Sequence, residues 1–433
     1  MKRAFIIIAS VIVILGLAVG IYFLFFTGKG ASLTVGNPFG DIGSGSATPG
    51  AGLPNSDQTL SGAGTPLGPR FVKIADGPIV PNDAVINVQL PASGTNTAVS
   101  ATTVVSTTTT STSTKVVSAS STSVTTSQDT TPDTEVRFID RASGNVYSYL
   151  AHARTLTRIS NKTLPGIQVT SWVPDGSRAY VQLLSTTNGT DQVNTYALDA
   201  TGDSGFLLEQ GLAQATVSGS STLFTLLSGT SGSVGSLSRA DGSNAKTLFS
   251  SLISSLVVSP TSGSLYATNK PSASIDGYGF QIDRASGAFT RILGPLRGLT
   301  LLPNPKGTLL MYSYTNGGSY YLNVLDPVSR TSTPLPVATF TEKCVWTANG
   351  ETAYCAVPTS IGPNEPDLWY QGAATFSDRI WKIDMTQRVA TLVLDPQAVG
   401  NVSIDAVGLS VDPDEDVLTF TDKHTGALYA YDL

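Results

Sequence analysis

Residues 167–184 read IQVTSWVPDGSRAYVQLL. An alternating apolar run enters Pro174-Asp175-Gly176 and resumes beyond it, the pattern of two antiparallel strands joined by a tight turn. The same figure recurs as LVVSPTSGSLYATN (256–269), LTLLPNPKGTLLMYSY (299–314) and CVWTANGETAYCAV (344–357). Its turn glycines are Gly176, Gly263, Gly307 and Gly350, with gaps of 87, 44 and 43 residues. The first gap is double the others, which places another unit near Gly219, where TVSGSSTLFTLL (216–227) stands. A weaker copy, VGLSVDPDEDVLTFTD (407–422), closes the series. The first full unit predicts strands near 167–173, 179–185, 192–198 and 205–209. Four strands recurring about every 43 residues is the spacing of propeller blades. A lone blade has two apolar faces, and only stacking around an axis buries them.

The chain ends at ALYAYDL (427–433), the third strand of its last unit, so an outer strand is missing. Upstream, RFVKIADGPIVPNDAVINVQLP (70–91) matches the pattern of TLTRISNKTLPGIQVTSWVP (155–174), in which an outer strand leads into the next inner one. Phe71–Ile74 is therefore predicted to complete the last blade, and Val85–Leu90 to open the first. The segments 135–141, 145–151 and 155–160 finish that first blade. Inner strands then fall near 85, 168, 214, 255, 299, 343 and 405. The expected fold is all-β, a seven-bladed propeller over 70–433 closed by an N-terminal outer strand; six or eight blades stay open.

WVPDGSRAYV (172–181) resembles the W-S-P-D-G-K-x-I-A-F repeat of TolB-like bacterial propellers, and WTANGETAY (346–354) is a fair second copy. The resemblance covers roughly residues 70–433. It implies fold and export but no chemistry, because the motif is structural: Asp-Gly suits the turn and Trp packs between blades. A single N-terminal span with a Ser/Thr-rich insert also resembles bacterial membrane-anchored propeller proteins.

Residues 4–26, AFIIIASVIVILGLAVGIYFLFF, carry no charge and are long enough to span a bilayer as a helix. Lys2 and Arg3 precede them, so residues 1–3 are expected in the cytoplasm and the remainder outside it. The run exceeds a signal-peptide core and ends in aromatic residues, which favours an uncleaved anchor over a cleaved leader. Residues 27–69, rich in Gly, Ser, Pro and Thr, read as a flexible linker. The Thr/Ser tract 93–134 reads as a disordered insert in the first blade; an O-glycosylated or adhesive stalk is the other reading.

Only 13% of residues are charged and the net charge is -6, with no basic cluster beyond the N-terminus, which excludes nucleic acid as a partner. The two histidines, His152 and His424, give little material for a metal site or a Ser-His-Asp triad. No cofactor or metal is expected. No P-loop, nucleophile elbow or dinucleotide fingerprint is present. The DPDED turn (412–416) lacks the glycine and distal glutamate of a calcium loop and coincides with the repeat's ordinary turn. IDRASG, at 139–144 and 282–287, falls on different inter-strand turns and reads as a good turn sequence.

Two features point to possible sites. Cys344 and Cys355 flank Asn349-Gly350 symmetrically, which sets them opposite on paired strands; outside the cytoplasm a cross-strand disulfide is expected, with two buried thiols as the alternative. Residues 358–378 interrupt the sixth blade with an aromatic insert. Trp369, Tyr370 and Phe376 are the candidate partner-binding residues, either exposed as recognition anchors or folded back to cap a neighbouring blade. The sequence therefore predicts a non-enzymatic module that binds an envelope protein or glycan and is held to the lipid bilayer through residues 4–26. A TolB-like assembly or translocation component, and a hydrolase or lyase acting at the channel mouth, are the alternatives.

Overall fold

The computed structural model describes residues 64–91, 130–187, 190–218 and 222–433. The apolar run 4–26, the linker up to residue 63 and the tract 92–129 lie outside them. Among the described residues no helix is long and apolar enough to cross a membrane. Among the described residues the strands form antiparallel meanders that follow chain order, with two short helices, α1 (Asp367–Tyr370) and α2 (Pro396–Gly400), and a 3-10 turn at Thr341–Lys343 between them.

The first meander runs Ala84–Pro91, Thr130–Ile139, Val146–Leu150, Thr155–Arg158. The second runs Ile167–Trp172, Arg178–Thr187, Thr190–Asp199, Gly205–Leu207, and the third Leu212–Ser218, Thr222–Gly229, Gly232–Arg239, Lys246–Ser251. A seven-stranded sheet follows, from Leu256–Pro260 to Ser332–Pro334. Its middle strand, Phe289–Pro303, pairs at one end with Asp276–Ile282 and at the other with Leu310–Asn316, so it is outer strand to one meander and inner strand to the next. Cys344–Trp346, Thr352–Pro358, Asp378–Asp384 and Val389–Leu394 come next.

The last sheet holds Ala406–Val411, Val417–Asp422 and Leu428–Asp432, and its fourth strand is Phe71–Ala75 from the other end of the domain. Phe71 stands opposite Tyr431 and Val72 opposite Ala430. Phe71 and Ile74 are fully buried, and the Phe71 ring stacks at 5.6 Å on Tyr429 and 6.1 Å on Phe420. This apolar burial, together with strand pairing that runs from Phe71 to Ala75 with one register shift after Lys73, makes the strand part of the core rather than a loose edge. Sequential meanders whose first and last members share a sheet define a β-propeller connectivity.

Two boundaries differ from expectation. Thr130–Thr134, assigned above to the disordered insert, pair with Asn87–Pro91 in reverse order. Thr is a good strand former, and Asp133 is buried, its carboxylate accepting the N–H groups of His152 (2.9 Å) and Ala153 (3.1 Å). Thr65–Pro66, assigned to the linker, pair with Lys73 and Val72 at the outer edge, where a proline costs no ladder bond.

The repeat motif also fastens one meander to the next. Tyr180, Tyr266 and Tyr354 follow turn glycines Gly176, Gly263 and Gly350 by three or four residues. Their hydroxyls donate to Ala240 O (2.5 Å), Gly307 O (2.9 Å) and Glu415 Oε2 (3.1 Å), each in the following meander. Trp346 Nε1 reaches back to Leu302 O at 3.2 Å. The IDRASG copies are carboxylate-closed turns: Asp140 accepts Ser143 N–H at 2.9 Å and Asp283 accepts Ser286 N–H at 2.7 Å.

Candidate functional site

The insert, residues 359–377 between strands Thr352–Pro358 and Asp378–Asp384, is built over a buried lysine. Lys343 ends the 3-10 turn leading into strand Cys344–Trp346 and has no exposed surface. An unpaired ammonium there would be prohibitive, so its three donors must all be used. Nζ donates to Asp378 Oδ2 and Asp405 Oδ1, both at 2.6 Å, and to Ala406 O at 2.9 Å. It also lies 5.2 Å from the Trp369 ring and 5.5 Å from that of Phe376.

Asp405 then turns this charge into an anchor for the insert. Its carboxylate accepts Trp369 Nε1 (2.9 and 3.1 Å to the two oxygens) and the backbone N–H of Phe376 (3.1 Å). Glu365 accepts the N–H of Trp369 at 2.8 Å, and Lys423 Nζ donates to Trp369 O at 2.6 Å. Asp367 accepts Ala273 N–H at 2.6 Å, tying α1 to the loop before Asp276–Ile282. Trp369, Phe376, Phe340 and Tyr320 form one apolar cluster around these polar atoms.

Burial pushes the Asp378 carboxyl up to about 6, against the lowering effect of Lys343; its Oδ1 has no partner among the described residues. Burial also raises Glu365 and lowers Lys423. Glu342 keeps solvent-accessible surface, yet protein atoms around it desolvate the carboxyl and raise it, partly offset by the hydrogen bond from the Tyr370 hydroxyl. The same surroundings and the nearby Glu342 push the Tyr370 hydroxyl up.

Of the two readings of the aromatic trio, exposed anchors or a folded-back cap, the cap holds for Trp369 and Phe376. Trp369 is 4% exposed and Phe376 7%, because the indole N–H and the Phe376 backbone are both claimed by Asp405. Tyr370 alone of the three retains surface, at 36%, alongside Leu368 (37%) and Ile275 (64%). The insert thus caps the core with its indole and presents the outer side of α1. Beside it lie two cavities. One, of about 530 Å³, is bordered by Asp276, Arg297, Tyr314, Asn316 and Pro363. The other, of about 580 Å³, is bordered by Tyr320, Val337, Val357, Ile361 and Trp381.

Cys344 and Cys355 sit directly opposite in register and are joined as a disulfide, with their Cα atoms 4.1 Å apart. The acidic turn is internally satisfied: Asp412 accepts N–H groups from Asp414, Asp416 and Val417 at 2.6–2.9 Å, and Glu415 pairs with Lys382 at 3.0 Å. Among the described residues no three His, Cys, Asp or Glu side chains are grouped to hold a metal ion. The Lys343, Asp378 and Asp405 cluster has the charge and the perturbed carboxyl of a reactive site, but sealed side chains cannot touch a substrate. What they do is position α1.

Sequence reasoning missed Lys343, Asp378 and Asp405. A signal was present: Asp-Ala-Val opens two inner strands, at Asp83-Ala84-Val85 and Asp405-Ala406-Val407, and both aspartates are buried.

The chain is a β-propeller with a fastened insert at one end. No family model matches the sequence, and no curated protein matches it. Solved structures of similar shape include an oligogalacturonate lyase in complex with manganese, at 13% identity over 70% of this chain and 86% of that one, with a TM-score of 0.48. TolB from Acinetobacter baumannii is 12% identical over 58% of this chain and 59% of that one, with a TM-score of 0.40. Hydrazine synthase from Kuenenia stuttgartiensis is 12% identical over 69% of this chain and 92% of that one, with a TM-score of 0.46. The fold assignment rests on the strand pairing itself.

Proposed function

We propose that this chain is a non-enzymatic binding module, a seven-bladed propeller whose seven-stranded sheet counts as two blades. In this reading it is tethered by residues 4–26 and works outside the cytoplasm. The anchoring of the insert carries the proposal: a buried lysine, two aspartates and an indole are spent on holding α1 with Leu368 and Tyr370 outward. A rigid, partly apolar prominence between two cavities suits recognition, because little ordering entropy remains to be lost on binding. The Cys344–Cys355 disulfide supports an oxidising compartment.

The experiment is site-specific photo-crosslinking in cells that make the chain. A photoreactive residue at Leu368 or Ile275 should give a discrete adduct, and one at Asp175 or Asn349, in the turns between first and second strands, should not. Adducts confined to Asp175 and Asn349 would reject this face as the binding surface.

A further inference from the structure

The cavity of about 530 Å³ beside Pro363 has a lining whose chemistry narrows its ligand. Arg297 and Asp276 are the charged residues that border it, 3.6 Å apart and each more than half exposed. Together they are neutral, yet they set a fork of donors beside a carboxylate acceptor. Asn316, exposed at the end of strand Leu310–Asn316, adds an amide donor and an amide acceptor. Tyr314 lines the same space and belongs to an aromatic stack, 6.1 Å from Tyr312 and 5.2 Å from Tyr321. Gly317 and Gly318, at φ 59° and 81°, turn the chain with no side chain to fill the opening. Asp367 pins the far wall through Ala273 N–H, so the cavity is preformed.

We infer that this cavity is a subsite for a neutral sugar unit of a glycan. The inference rests on the binding-module proposal above and names its ligand class. An anion would meet Asp276 and a cation would meet Arg297. An apolar group would strip water from both without replacing their hydrogen bonds. A pyranose offers adjacent hydroxyls that each donate and accept, matching the Asp276–Arg297 pair, and a C–H face that suits an aromatic wall. Peptides are more often held along a sheet edge or in an apolar groove, and neither borders this cavity.

The test uses the full chain in a non-glycosidic detergent, titrated calorimetrically with maltotriose, cellotriose and chitotriose, with a uronic trisaccharide and with a neutral tripeptide. At least one neutral trisaccharide should bind saturably. Arg297→Ala, Asp276→Asn and Asn316→Ala should each weaken it at least tenfold with the melting temperature unchanged, while Lys246→Ala, at a cavity that shares none of these lining residues, should have no effect. The inference is overturned if no saccharide binds, if the tripeptide competes, if the uronic probe binds and Asp276→Asn strengthens it, or if the three variants bind as the parent does. A silent saccharide panel with adducts still formed at Leu368 would sink the sugar subsite and leave the binding module standing. Cleavage of a bound trisaccharide would keep the subsite and sink the non-enzymatic proposal.

Discussion

At the scale of single residues, three buried charged groups stand at the start of inner strands: Asp83, Lys343 and Asp405. Removing one member of a buried ion cluster leaves the others uncompensated, which typically costs about 3–5 kcal/mol. Lys343→Met should therefore lower the free energy of urea unfolding by about that amount, more than any exposed lysine substitution. Asp83 is the second such group. Thr419 donates to one of its oxygens at 2.6 Å, the other has no partner among the described residues, and burial pushes the carboxyl up to about 6. That value stands above the ordinary 3.8, so between the two the folded chain holds a proton the unfolded chain has released. The resulting stabilisation is complete below about pH 4 and is lost as pH rises through about 6. Asp378 shifts in the same direction. Denaturation at stepped pH should thus show stability falling from pH 4 to 7. Asp83→Asn should remove about 2–3 kcal/mol of that fall. An unchanged slope in the variant would show that Asp83 titrates normally. None of this was legible from composition, because Lys343 meets partners 35 and 62 residues away and sits in Thr-Glu-Lys, which looks like a surface turn.

At the scale of elements, the insert and the hairpin beneath it behave differently. The Cys344–Cys355 hairpin was legible because a symmetric Asn-Gly turn fixes register, and register fixes which side chains face each other. Replacing both cysteines with alanine removes a short covalent loop, worth about 2–3 kcal/mol on the chain-entropy account. The double variant should melt a few degrees lower, by calorimetry, than the oxidised parent. The insert was legible only as an interruption, since Trp369 suits an exposed anchor and a core cap equally until Asp405 is placed beside it. Trp369→Ala should cost about 3–5 kcal/mol through the cavity and the lost anchor. Hydrogen exchange should locate the change: amides of 359–377 exchange faster, while those of Phe71–Ala75 keep their protection. Uniform acceleration across every sheet would mean that the indole is a general core residue and not the fastening of one loop. The strands Thr130–Thr134 and Thr65–Pro66 were missed because Thr- and Pro-rich composition was read without the partner strands that recruit it.

At the scale of the whole molecule, periodicity carried most of the fold. Turn glycines spaced by 43 and 44 residues set the repeat, and 70–91 matched the outer-to-inner strand pattern of 155–174. The tyrosine latches were present in the same repeats as Ala-Tyr or Leu-Tyr after the glycine, but their role depends on which meander comes next in space. Closure couples the two ends of the domain, so blades flanking the seam should lose stability together when it opens. The decisive measurement is a comparison of calorimetric melting for the full chain and for a variant lacking Phe71–Ala75 alone. A closed ring predicts loss of the single cooperative transition, or a melting temperature lower by many degrees, with new exchange in Leu428–Asp432. Identical melting curves and an unaltered exchange pattern in Leu428–Asp432 would contradict it.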